Sequence, residues 1–130
     1  MNYKKKLKEF HRKFFNKTGD WRVDIDQKFI RNNPSAIRLA ELIREEALEL
    51  VEALKTGTEE EVRKETCDLL YVTFGVPAIY NHPVEEDFIK VHENNMLKFD
   101  TGSLRADGKW VKHKDHPKVE LRQLEIPFEI

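Results

Sequence analysis

Two pairs of acidic residues fall on the apolar faces of two predicted helices, and they restrict the folds open to this chain. The pairs are Glu46 with Glu49 and Glu65 with Asp68. The members of each pair are three positions apart, so a helix places both carboxylates on one face. Burying an ionised carboxylate is costly unless a positive charge compensates it. Four such groups near a core therefore predict helices that converge on a divalent cation.

The helical wheel separates the first pair from the other glutamates of its helix. At about 100° per residue, Glu46 lies inside the apolar arc and Glu49 lies at its margin. Glu41 and Glu52 lie on the opposite side, where a solvated surface is the simpler interpretation. The apolar arc itself is formed by Leu39, Leu42, Ile43, Ala47, Leu50, Val51, Ala53 and Leu54.

The next helix repeats this arrangement. Glu65 projects between Val72 and Val76, and Asp68 lies at the edge of the apolar sector. No lysine or arginine of these two helices shares the apolar sectors, so we expect a metal rather than an ion pair to neutralise the acids. Oxygen ligands without a histidine or cysteine cluster favour Mg²⁺, with Mn²⁺ as a possible substitute. Protein-bound Mg²⁺ is usually coordinated by substrate phosphates as well as by carboxylates. The predicted site therefore indicates phosphoryl chemistry.

Hydrophobic periodicity and capping signals predict an all-α fold, a bundle of four to five helices. The predicted helices cover residues 3–17, residues 34–55, a segment opened by the capping box at Thr58, and a segment with the stripe Val84, Phe88, Val91 and Phe99. We expect the third helix to kink or end at Gly75 and Pro77. Between the first two helices, we expect Trp21, Ile25 and Phe29 to anchor the connection to the core.

The whole chain of 130 residues is expected to form one domain. Its helical core covers about residues 3–99, and a basic arm and an irregular tail cover residues 100–130. The net charge of −1 argues against a nucleic-acid partner. The single cysteine, Cys67, and the absence of an evident signal peptide predict a cytoplasmic location. The longest apolar stretch is too short to cross a membrane.

The fourth helix adds an inward polar pair. Asn95 falls within the apolar stripe and Lys98 lies beside Val91. A lysine that reaches past apolar neighbours to water is the alternative. With four acids nearby, we expect Lys98 to face a metal–phosphate site and Asn95 to orient a substrate group. The arm that follows carries Lys109 and Lys112, whose role we expect to be weaker.

Several motifs, taken in order, resemble a known family. They are Glu46-Ala47-Leu48-Glu49, Glu65-Thr66-Cys67-Asp68, Val91-His92-Glu93-Asn94-Asn95-Met96-Leu97-Lys98 and Asp107-Gly108-Lys109-Trp110-Val111-Lys112. The chain is similar to the MazG-like all-α nucleotide pyrophosphohydrolases, in the branch of phosphoribosyl-ATP pyrophosphohydrolase, which is related to the dimeric dUTPases.

The resemblance implies particular residues and an activity. Glu46, Glu49, Glu65 and Asp68 would bind magnesium, and the substrate contacts would come from Asn95, Lys98, Lys109 and Lys112. The implied reaction is hydrolysis of a nucleoside triphosphate to the monophosphate and pyrophosphate, in nucleotide-pool house-cleaning. Glu49 is the expected base, with Glu45 in reserve, and Glu46 is the second catalytic acid. A homodimer or a dimer of dimers is expected.

Two alternatives remain open from the sequence. The first is hydrolysis of phosphoribosyl-ATP itself on the same scaffold. The second is a non-catalytic, nucleotide-binding helical dimer. Base and sugar preference, the attacked phosphorus and the number of metal ions are not encoded in any residue pattern of the chain.

Overall fold

A computed structural model describes residues 1–124 of the chain. Its described residues form four α-helices and one short hairpin, which confirms the predicted all-α class. The elements are α1 (Tyr3–Thr18), a 3-10 turn (Trp21–Val23), α2 (Pro34–Thr56), α3 (Glu59–Tyr80), α4 (Val84–Thr101), β1 (Ser103–Leu104) and β2 (Trp110–Val111). The chain divides into two compact units, Met1–His82 and Pro83–Ile130. The last six residues of the predicted tail, 125–130, lie outside the described part.

Side-chain caps set the starts of three helices. The side chain of Asn2 accepts a hydrogen bond from the backbone of Lys5. Asn33 caps α2, with Pro34 at the first helical position, and Thr58 caps α3 by accepting from the Glu61 amide. These caps satisfy amide groups that have no partner inside the helix. They explain why the predicted starts of these helices agree with the structure.

The third helix does not end at Pro77. It continues to Tyr80, and Asn81 closes it in the left-handed region with φ 54°. Proline removes one backbone hydrogen bond and would normally break a helix. Here the three residues that follow it, Ala78, Ile79 and Tyr80, are all buried, and their burial offsets the lost bond.

The core of the first unit is small and lies where α1, α2 and α3 meet. Leu39, Ile79 and Tyr80 form its centre. Two polar residues are also buried, and both are hydrogen-bonded: Ser35 to the hydroxyl of Tyr80 at 2.7 Å and His11 to the carbonyl of Val23 at 2.9 Å. Burial lowers the pKa of His11 below its usual value, because a charged imidazole would lose its hydration.

The connection between α1 and α2 is anchored by a residue that the sequence analysis did not select. Val23 is completely buried, whereas Trp21 is about half exposed, so the expectation for Trp21 was wrong. Phe29 is also half exposed, but its ring packs edge-on against the core residue Tyr80, with the ring centroids 5.3 Å apart. The reason for the exposure of Trp21 is the 3-10 turn, which Asp20 caps by accepting a hydrogen bond from the backbone amide of Arg22. This turn directs Val23 inward and leaves Trp21 at the surface, while Ile25 is half-buried.

In the second unit, a short antiparallel hairpin follows α4. Ser103 pairs with Val111, and Leu104 pairs with Trp110. The indole nitrogen of Trp110 donates a 2.7 Å hydrogen bond to the carbonyl of Lys98. This bond ties the hairpin to the last turn of α4.

We predict that Gly102→Ala will release this hairpin. A Cβ at Gly102 would overlap the indole nitrogen of Trp110 and would lie 2.8 Å from the carbonyl oxygen of Lys98. We expect a loss of roughly 1–3 kcal/mol, typical of overpacking, and a shift of the Trp110 indole resonance in a ¹H–¹⁵N spectrum. Trp21 provides an internal reference, and Ser103→Ala is the control. An unshifted Trp110 resonance would contradict the prediction.

Candidate functional site

A short turn joins α2 to α3, and the two helices bring the four predicted acids together. One carboxylate oxygen from each of Glu46, Glu49, Glu65 and Asp68 lies within 4.8 Å of the others. The two helices are separated only by Gly57 and the cap residue, so they run antiparallel. Residues at equal distances from this turn face each other, which pairs Glu46 with Asp68 and Glu49 with Glu65. That equal spacing is a signal in the sequence that helical-wheel analysis does not use.

Burial differs among the four acids. Glu49 is exposed, while Glu46, Glu65 and Asp68 are half-buried. The Oε2 atoms of Glu46 and Glu65 are inaccessible to solvent and have no hydrogen-bond partner. A buried polar atom without a partner is rare in folded proteins and calls for an explanation. Their environment agrees with the predicted inward direction of these two side chains.

The surroundings of the cluster change the pKa of Glu46. Its pKa is raised above the usual value, first because burial removes hydration and then because of the negative charge and hydrogen bond of Glu49. Asp68 and Glu65 add smaller contributions in the same direction. The four acids therefore disfavour each other's ionised forms until positive charge is added.

One basic residue does reach the cluster. The Nζ of Lys64 lies 2.9 Å from Asp68 and 3.4 Å from Glu65, and these carboxylates raise its pKa. The expectation that the acids have no basic partner was therefore wrong. Lys64 is outside the apolar sector, but its side chain is long enough to reach along the helix to Asp68, four positions further on. It is largely exposed, and its ion pairs among the described residues are with Glu65 and Asp68 rather than with Glu46 or Glu49.

The residues present fit a divalent cation. All the donors are carboxylate oxygens, the class preferred by Mg²⁺ and Mn²⁺. The two buried oxygens without partners, on Glu46 and Glu65, offer ligand atoms that no protein donor occupies. Lys64 pairs with Asp68 and with the other oxygen of Glu65, Oε1, and not with these two atoms.

We predict that Lys64→Met will strengthen cation binding. The substitution removes an ammonium group that competes for Asp68 and Glu65 while keeping a similar side-chain length. Since Lys64 is two-thirds exposed, we expect a modest change, about three- to tenfold in the dissociation constant for Mn²⁺ measured by calorimetry. Arg63→Met, at the next exposed position, is the matched control. Equal or weaker binding by Lys64→Met would contradict the prediction.

Three of the predicted substrate residues line one groove in the second unit. The groove has a volume of about 460 Å³ and is lined in part by Asn95, Lys98 and Lys112. Lys109 follows the turn of the hairpin and is not among the lining residues. The neighbouring Arg105 is paired with Asp107, which uses much of its charge inside the turn.

The surroundings of α4 differ from the expectation in one respect. None of its residues is buried, and Asn95 is exposed, so the buried amide expected there was wrong. Within the second unit, the apolar stripe has little to pack against, and Phe88 and Phe99 remain 70% and 60% exposed. Asn95 still faces a concave surface, because it lines the groove.

Sequence analysis missed two residues that shape this groove. Asn94 donates a 2.9 Å hydrogen bond to the carbonyl of Pro117 and accepts one of 2.8 Å from His116. Lys118 also lines the groove. Asn94 stands inside a quoted motif without a role assigned to it, because its two contacts join residues more than twenty positions apart, and no motif covers Lys118.

A family model described as phosphoribosyl-ATP pyrophosphohydrolase matches residues 7–95, more than half of the chain. No curated protein matches the sequence. Among the residues that the structure describes, no helix is both long and apolar enough to span a membrane.

Proposed function

The chain belongs to the phosphoribosyl-ATP pyrophosphohydrolase family, and we propose that it hydrolyses nucleoside triphosphates to the monophosphate and pyrophosphate. The family supports a hydrolase that acts on pyrophosphate bonds. The observation that carries the proposal is the cluster of four carboxylates with two buried, unpartnered oxygens. Such a cluster suits a metal-assisted reaction at a phosphoanhydride. Removal of damaged or surplus nucleotides from the pool is the role we propose for it.

Within the cluster, the proposed roles follow burial. Glu46 and Glu65, with their solvent-inaccessible oxygens, would hold the cation from the inner side, and Glu49 and Asp68 would complete the ligand set. A bound divalent cation supplies positive charge for the phosphate oxygens and lowers the pKa of a coordinated water. Mg²⁺ is the proposed ion.

Proton transfer requires a carboxylate that water can reach. Glu49 is exposed, so we propose that it accepts the proton of the attacking water, with Glu45 as the reserve. The negative charge of Glu49 also acts on Glu46. Glu46 and Glu49 are thus the proposed catalytic pair. Glu46 would bind the cation from the inner side, and Glu49 would accept a proton from water.

The phosphate chain needs positive charge and hydrogen-bond donors. Lys98 and Lys112 carry ammonium groups on one groove, and Asn95 offers an amide there. We propose that these three residues bind the substrate, with Lys98 as the main charge partner of the departing pyrophosphate. Lys109 remains a weaker proposal, since it is not among the lining residues.

We also propose that the protein works as a homodimer or a dimer of dimers. The apolar arc of α2 is only partly used inside the first unit: Leu39 and Ala53 are buried, but Val51 and Leu54 are 45% and 65% exposed. Exposed apolar side chains on the apolar arc of a helix are typical of a surface that another chain covers. A second copy would supply a matching apolar face.

The direct test is a substrate panel. Purified protein with Mg²⁺ is incubated with all common ribo- and deoxyribonucleoside triphosphates and with phosphoribosyl-ATP. We expect the monophosphate and pyrophosphate as products. Release of orthophosphate and a diphosphate would refute the proposed cleavage position. Magnesium-dependent binding without turnover of any compound would favour a nucleotide-binding dimer instead.

Phosphoribosyl-ATP is included because the family description names it. It also carries a triphosphate, whose hydrolysis to the monophosphate would release pyrophosphate. Turnover of this compound alone would assign the chain to that substrate. Turnover of several triphosphates would support the nucleotide-pool role.

A further inference from the structure

Part of the groove in the second unit is lined by residues that follow the segment matched by the family model. The match ends at residue 95, but Lys112 and Lys118 line the groove together with Lys98. Building on the proposed function, we propose that this groove binds the polyphosphate chain of the substrate, and that Lys118 is its third lysine. We further propose that His116 is a positioning residue, since its bond to Asn94 sets the place of Lys118.

The charge of the groove supports an anionic ligand. Among the described residues that line it, three carry ammonium groups and none carries a carboxylate. Two amide side chains, those of Asn94 and Asn95, add neutral hydrogen-bond donors. Ammonium groups that share one concave surface repel each other, and an anion relieves this repulsion. A chain of phosphates offers several oxygens to such a set of donors, whereas a single carboxylate does not.

The wall containing Lys118 is held against α4 at two places. Near the middle of the helix, the amide of Asn94 bonds to His116 and to the carbonyl of Pro117. Nearer its start, Glu86 forms a 3.0 Å ion pair with Arg122. The C-terminal segment therefore runs back along the helix, opposite to the helix direction. These two attachments bracket Lys118.

The first attachment is next to the proposed ligand residue. Pro117 has a fixed φ, and its carbonyl accepts the bond from Asn94. Lys118 follows directly, so its backbone position depends on this bond and on the one from His116. His116 itself is not among the groove-lining residues. Its replacement therefore changes the position of the wall without removing a lining side chain.

The experiment measures binding of tripolyphosphate by calorimetry, with EDTA present so that the acid cluster holds no metal. We expect Lys118→Ala to weaken binding about tenfold, as for loss of one charge-assisted contact. Lys118→Arg should restore most of the affinity. Lys114→Ala is the matched control, because Lys114 is an exposed lysine of the same segment that does not line the groove. A nucleoside monophosphate should bind much more weakly than tripolyphosphate.

Positioning by His116 is tested with a double-mutant cycle. We expect His116→Leu to weaken binding about as much as Lys118→Ala, and the double variant to be no weaker than either single one. A purely structural effect would instead reduce the helical circular dichroism or shift the Trp110 resonance. Additive losses would overturn the positioning role. Wild-type affinity in Lys118→Ala, or no binding by the wild type, would overturn the groove proposal.

The proposed hydrolysis and the proposed anion site in the groove can be refuted separately. If the groove binds tripolyphosphate but no triphosphate is hydrolysed, the proposed function fails and the anion site stands. If hydrolysis depends on Glu46 while Lys118→Ala behaves as the wild type in binding, the proposed function stands and the groove assignment fails.

Discussion

Glu46→Gln is expected to abolish hydrolysis while stabilising the metal-free protein. Loss of a cation ligand should lower kcat/KM at least ~10³-fold, roughly 4 kcal/mol of transition-state stabilisation. Without metal, however, Glu46 is a partly buried acid with a raised pKa beside three other carboxylates. The neutral amide removes this repulsion. At neutral pH in EDTA, we therefore expect a gain of about 1 kcal/mol in the free energy of unfolding.

The opposite signs of these two effects make the prediction specific. A substitution that merely damaged the fold would lower both activity and stability. Glu41→Gln is the matched control, because Glu41 is an exposed glutamate on the same helix, and it should change neither quantity. Turnover by Glu46→Gln near the wild-type rate would remove the acid cluster from the mechanism.

The same pKa shift predicts a pH dependence. A carboxyl group with a raised pKa in the folded state favours folding below its unfolded pKa of 4.5, and this contribution is lost as the pH rises through the folded pKa. His11 acts in the opposite direction: its pKa is lowered, so stability is lost as the pH falls below about 6.5. The difference between wild type and Glu46→Gln isolates the first effect. This difference, measured by urea unfolding in EDTA, should shrink as the pH approaches 4.5.

Leu54→Glu is expected to convert a dimer into monomers. Leu54 is 65% exposed in the single chain, and in a symmetric dimer the substitution would enter the interface twice. Losing two buried leucines costs roughly 4 kcal/mol, which is about a thousandfold in the dimer dissociation constant. Light scattering should show a fall from twice the chain mass of 15.5 kDa to that mass. Activity should fall with it if the dimer completes the substrate pocket.

A matched control tests whether the location matters. Ile30→Glu introduces the same charge at a similarly exposed apolar residue, 56% accessible, in the connection before α2. We expect this variant to remain a dimer and to keep its activity. A dimer that survives Leu54→Glu would exclude this face of α2 from the interface.

The predicted helices were correct where the signal was local. Caps at Asn33 and Thr58 act within one helical turn, so their residues reveal them. At Pro77, where a kink or an end was expected, α3 does not end. The cost of the proline is local and visible in the sequence, but the burial of Ala78, Ile79 and Tyr80 that offsets it depends on distant helices. Trp21 lies at the surface and Val23 is buried because a 3-10 turn, rather than residue type, sets which side chain points inward.

The sequence by itself determined the all-α class, and it predicted four acids with one inner and one outer member on each helix. Helical periodicity carries that information, because a fixed angle per residue relates each acid to the apolar face of its own helix. Only the tertiary structure decided that the four carboxylate oxygens lie within 4.8 Å, that Lys64 reaches two of them, and that Lys118 lines a groove with Lys98. Those facts depend on side-chain reach and on contacts between distant segments, which helical periodicity does not encode.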